Sequence, residues 1–162
     1  MTTNIKKTTF CIIVLLSSIT LYVNSQTIYY DALNFPLIGK ITDETETRYE
    51  RLPAYLKDKV SRSALWTLGK NTSGLAIRFR SNTTSISAKW ELLSNIKMNH
   101  FTDTGIKGLD LYAWKDQKWQ FVNSARPTGK VNEAKIISSM TSTDREYLLF
   151  LPLYDGLINL EI

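Results

Sequence analysis

The chain has 162 residues, 20 basic against 15 acidic side chains, a net charge of +5, one histidine and one cysteine. A disulfide framework needs cysteine pairs, and a zinc centre wants at least three His, Cys or carboxylate ligands at recognisable spacing, so neither is expected. The charges are interspersed, and no basic run marks a nucleic-acid surface.

Lys6 and Lys7 precede a predominantly apolar run from Phe10 to Val23, and Val23-Asn24-Ser25 places small residues where a signal peptidase reads. Residues 1–25 are therefore expected to be a signal peptide, cleaved before Gln26. The run is shorter than the roughly 20 residues of a membrane span, so the product is expected to be secreted or periplasmic and free of the membrane after cleavage. Cys11 leaves with the signal. Residues 26–162 form a single domain of 137 residues with 18 basic and 15 acidic side chains, a balance of +3.

The rest reads as β. Arg51 to Val60 is a weak helical candidate, interrupted by Pro53 and lacking an apolar stripe. Leu75 to Arg80 alternates, with Leu75, Ile77 and Phe79 expected inward and Arg78 and Arg80 outward. After Ser81-Asn82 the alternation resumes, with Ile86, Ala88, Trp90 and Leu92 inward. Leu109 to Trp114 and Trp119 to Val122 flank Lys115-Asp116-Gln117-Lys118, a polar four-residue loop suited to a hairpin. Lys135 to Met140 is a further strand. Tyr147 to Tyr154 is almost continuously apolar, as in a strand buried on both faces that Pro152 ends or bulges. In Leu157 to Ile162 the residues Ile158, Leu160 and Ile162 are expected inward. This is either the last strand or a strand that the chain leaves short of its partner. Short, regularly punctuated strands point to an all-β, two-sheet sandwich or jelly roll.

Catalytic chemistry is hard to place. His100 is the one imidazole available to a Ser-His-Asp hydrolase, Asp103 follows it instead of preceding it, and no Gly-x-Ser-x-Gly elbow occurs. Asp43, Glu44 and Glu46 could offer oxygens to calcium but read as a solvated acidic loop. Asn71-Thr72-Ser73 and Asn82-Thr83-Thr84 fit both a glycosylation pattern and ordinary turn chemistry. No cofactor, no metal and no catalytic residue are expected in this chain. Candidate binding residues are Asn99, His100, Thr102 and Asp103, in the polar two-glycine loop from Met98 to Gly108, because recognition concentrates in loops on a rigid scaffold. Their alternative role is to hydrogen-bond the loop to itself. Trp114 and Trp119, beside the hairpin loop, suit a cross-strand pair or a platform for a sugar ring.

The motifs Leu65-Trp66-Thr67-Leu68-Gly69-Lys70-Asn71-Thr72-Ser73-Gly74, Met98-Asn99-His100, Thr104-Gly105-Ile106-Lys107-Gly108-Leu109-Asp110-Leu111-Tyr112, Arg126-Pro127-Thr128-Gly129 and Phe150-Leu151-Pro152-Leu153-Tyr154-Asp155-Gly156 together resemble the N-terminal domain of secreted SGNH (GDSL-like) hydrolases. The resemblance runs from about Tyr30 to Ile162. It implies a jelly-roll β-sandwich that in relatives precedes an α/β hydrolase domain resembling carbohydrate esterases. That domain carries the serine, the oxyanion residues and the Asp-x-x-His, none of which has a counterpart here. The implied partner is the catalytic domain, in cis in relatives or in trans, with a glycan or acylated glycan as ligand. Relatives continue past Leu160-Glu161-Ile162, so the sandwich is expected to lack its last strand and the chain to be a fragment or an abbreviated product.

Overall fold

Runs that alternate apolar and polar side chains become strands here because each buries one face against a second sheet. The computed structural model describes residues 26–162; the expected signal peptide and Cys11 lie outside the described residues. The strands are β1 (Leu37–Ile38), β2 (Ala76–Ser81), β3 (Ile86–Leu92), β4 (Leu109–Lys115), β5 (Lys118–Ala125), β6 (Val131–Ile137), β7 (Arg145–Phe150) and β8 (Leu157–Glu161). They form one five-stranded sheet in the order β1-β2-β7-β4-β5 and one three-stranded sheet in the order β6-β3-β8. Every pairing is antiparallel. The result is the all-β, two-sheet sandwich that the alternation predicts.

Leu75, Ile77 and Phe79 beside β7 face Ala88, Trp90 and Leu160 of the other sheet in one core, joined by Leu109, Leu111 and Leu149. Arg78 and Arg80 point outward and pair with Glu146 and Asp144 across the β2–β7 ladder. The apolar run after Tyr147 is explained by β7 lying between β2 and β4. The strand stops at Phe150, two residues before Pro152, which has no N–H to give a ladder.

Four expectations change in detail. The β4–β5 hairpin closes through two residues, not four: Lys115 pairs with Lys118, and Asp116 and Gln117 both take positive φ, 53° and 60°, as a type I′ turn requires. In β8, Glu91 pairs with Asn159 but Leu92 with Leu157, leaving Ile158 as an extra residue. That bulge turns Ile158 out to 49% exposure while Leu157 and Leu160 go in. β6 begins at Val131, because buried Asn132 accepts hydrogen bonds from the N–H groups of Thr128 (2.8 Å) and Gly129 (3.0 Å) and so closes the preceding turn. Arg51 to Val60 holds only a 3₁₀ turn, Ala54–Leu56, whereas the two short helices lie at α1 (Ser63–Gly69) and α2 (Asp103–Lys107).

The edge of β8 has a partner at its far end: Tyr30 and Ile162 exchange two backbone hydrogen bonds, of 2.8 and 2.9 Å. Strand direction sorts the loops. The Lys70–Gly74 turn, the segment from Leu93 to Gly108, the turn before β6 and the Leu151–Gly156 turn gather at one end. The β2–β3 turn, the Asp116-Gln117 hairpin and Ile162 lie at the other, about 20 Å away for strands of this length.

Candidate functional site

Four segments without strand structure meet at the first of these ends, and polar groups fasten them. The Thr72 hydroxyl, which is fully buried, donates to Pro152 O at 2.7 Å, and Thr72 N–H donates to Asp155 O at 3.0 Å. Thr72, the middle residue of Asn71-Thr72-Ser73, therefore serves the fold. Leu93 N–H donates to Gly156 O (2.8 Å), and Tyr154 N–H donates to Ile106 O (3.0 Å). Asp155 is 1% exposed. Its carboxylate accepts from the backbone N–H groups of Ser94 (2.9 Å), Ile96 (3.1 Å) and Gly156 (2.8 Å). A charged acceptor shared by three backbone donors is among the stronger anchors available to a loop.

Lys107 is the second anchor. It is also 1% exposed, and its Nζ donates to Asn95 Oδ1 (2.8 Å) and meets Asp103 Oδ2 at 3.2 Å. Asn95 holds φ at 57°, in the left-handed region that asparagine tolerates. The Trp90 indole N–H donates to Lys107 O at 3.2 Å, tying α2 to the core. Gly108 follows α2 where a Cβ would come within 2.4 Å of Thr104 O and 2.9 Å of Ala125 O, so only glycine lets β4 start there.

On this base the expected binding residues separate. Asp103 lies in the first turn of α2 and directs its carboxylate to Lys107, so it stabilises the loop. Thr102 precedes α2 without a side-chain capping bond. Asn99 and His100 are exposed, and their one side-chain hydrogen bond runs between them: in the Nδ1-protonated tautomer His100 donates to Asn99 Oδ1 at 2.9 Å. Phe101, 44% exposed, meets Tyr154 edge-on at 5.7 Å. Trp114 and Trp119 belong to the other end. They are directly opposite across β4 and β5, with ring centroids 5.2 Å apart and planes at 66°. Tyr112 extends this row by edge contacts to Phe121 (5.5 Å) and Phe150 (5.4 Å) on the outer face of the larger sheet.

An exposed imidazole bonded to an asparagine can donate or accept a hydrogen bond, and among the described residues it is bonded to no hydroxyl that it could activate as a nucleophile. Among the described residues no group of three or more His, Cys, Asp or Glu side chains could hold a metal ion. Glu46 of the acidic loop binds Lys57 instead, at 2.6 Å. No described helix is long and apolar enough to cross a membrane.

The family described as GxDLY, the N-terminus of SGNH hydrolase-type esterases, matches residues 27–162. The string in its label stands here as Gly108-Leu109-Asp110-Leu111-Tyr112. Leu109 and Leu111 are wholly buried, and Asp110 accepts from the Ser124 hydroxyl at 2.6 Å. The structure is similar to that of a protein from Bacteroides ovatus described as a GDSL-like lipase, with a TM-score of 0.78 and 37% identity over 83% of this chain. The chain spans 39% of the length of that protein. Among curated proteins none matches.

Proposed function

Because the chain belongs to the GxDLY family, the N-terminal domain of SGNH hydrolase-type esterases, we propose that it acts as the non-catalytic accessory module of such an esterase. In this reading it is exported by residues 1–25, stands beside the hydrolase domain and helps place the acylated substrate. The observation that carries the reading is the division of labour at the loop end. Asp155, Lys107 and Asp103 are consumed in holding the loops, while Asn99 and His100 are exposed and unused by the fold. Side chains that a rigid scaffold presents without needing them are available to a ligand. In the module joined to its hydrolase domain, His100→Ala should lower kcat/KM about tenfold, the loss of roughly one hydrogen bond, with the melting temperature unchanged. Intact kinetics with a large loss of stability would sink this role.

One observation favours a second reading, a carbohydrate-binding module: Trp114 and Phe121 are 43% and 56% exposed on the outer face of the larger sheet. Aromatic faces of this kind stack on sugar rings. Binding of this chain to a glycan array, abolished by Trp114→Ala, would support it; a blank array would remove it.

A further inference from the structure

The loop end spends two nearly fully buried charged side chains, Asp155 and Lys107, on fixing backbone. The surface they fix is apolar. Leu93 (39% exposed) and Phe101 (44%) come from the segment between β3 and β4, and Leu153 (45%) and Tyr154 (41%) from the turn between β7 and β8. The Leu93–Gly156 and Tyr154–Ile106 backbone bonds hold these two segments together, the Phe101 and Tyr154 rings meet edge-on, and Leu153 adjoins Tyr154 in the chain. Asn99 and His100, both exposed, immediately precede Phe101 in the chain. An apolar centre with a polar rim is the anatomy of a protein interface, and a surface already held rigid loses little entropy when it is covered. The outer-face aromatics Tyr112, Trp114, Trp119, Phe121 and Phe150 also meet edge-on, but they stand on regular strands that the ladder itself fixes, with no buried charged side chain spent on them.

We infer that Leu93, Phe101, Leu153 and Tyr154 form the face on which the hydrolase domain of an SGNH-type esterase docks. This rests on the accessory-module reading. The occupant follows from the Bacteroides ovatus relative, in which more than half of the chain lies outside the part that matches this one. A domain carried on the same polypeptide meets its neighbour at high effective concentration, and interfaces between such domains cover about 600–1,500 Å², which four large apolar side chains and their rim can centre.

The test replaces the matching part of the Bacteroides ovatus protein with residues 27–162 of this chain and compares its amide hydrogen exchange with that of this chain alone. The expected result is exchange slowed about tenfold or more at residues 92–102 and 151–156, and unchanged exchange across β4 and β5. Slowing confined to Tyr112–Phe121 would overturn the assigned face while keeping the accessory-module reading. Unchanged exchange everywhere would overturn both. A second measurement guards against a graft that couples poorly: Leu93→Glu with Phe101→Ser should split one calorimetric unfolding transition into two, whereas Phe121→Glu should not. A single transition in the double variant would again exclude this face.

Discussion

At the scale of single residues, the most informative positions are those that look ordinary in the sequence. Asp155 is one of 15 acidic residues, and nothing in Leu153-Tyr154-Asp155-Gly156 announces that its carboxylate is buried against three backbone donors. Asp155→Asn keeps the size but offers a neutral acceptor and a misplaced amide, leaving buried N–H groups without a partner. It should cost about 2–3 kcal/mol, measured by urea unfolding. Lys107 is equally silent, because a lysine that ends a short helix normally lies in solvent. Glycine was easier to read. The two-glycine loop was visible, and Gly108→Ala should cost more than about 2 kcal/mol by forcing a Cβ against Thr104 O. Tyr49 adds a pH dependence. Burial raises its pKa above the usual 10.0, against a smaller opposing effect of Arg48. The folded state therefore holds the proton more tightly than the unfolded chain. Stability is full below pH 10 and falls as the pH rises through the raised value. Tyr49→Phe should flatten that alkaline loss in thermal melts recorded from pH 9 upward, and an unchanged slope would assign the loss to other groups.

At the scale of elements, alternation was readable wherever one face of a strand is buried. β2 and β3 place inward the residues their pattern indicates. It failed where the backbone breaks the period of two. The Ile158 bulge cannot be seen in Leu157 to Ile162, because whether a strand slips depends on its partner β3. The helices α1 and α2 have seven and five residues, too short for a 3.6-residue stripe to emerge, and tertiary packing holds them. The hairpin was found but its turn was overcounted, since two left-handed residues close it without glycine or asparagine. Replacing Asp116-Gln117 with Asn-Gly removes that strain and should raise stability by about 0.5–1 kcal/mol. Denaturant midpoints of the two proteins decide this directly.

At the scale of the whole molecule, the fold class was legible and the grouping of candidate residues was not. Asn99, His100, Thr102, Asp103, Trp114 and Trp119 lie within 21 positions of sequence. Yet β4 carries the last two to the opposite end of the sandwich. Strand order decides such distances, and it depends on pairings between residues as far apart as Ala76 and Phe150. One ligand of ordinary size cannot touch both groups. Effects of His100→Ala and Trp114→Ala on substrate affinity should therefore add in the double variant, as independent sites do. Strong non-additivity in kcat/KM would mean one long ligand spanning both ends.

The exchange of hydrogen bonds between Tyr30 and Ile162 has a mechanical meaning. The segment that holds Tyr30 and the end of β8 run side by side in opposite directions, so tension applied to Tyr30 and Ile162 acts on those bonds one after another, as on a zipper. Two hydrogen bonds opened in sequence resist far less than a strand sheared along its whole length. Covalently, the backbone from Tyr30 to Ile162 comes back to its own starting point. A few glycines would join Ile162 back to Tyr30, and the chain could be reopened at the exposed Asp116-Gln117 turn with both sheets intact.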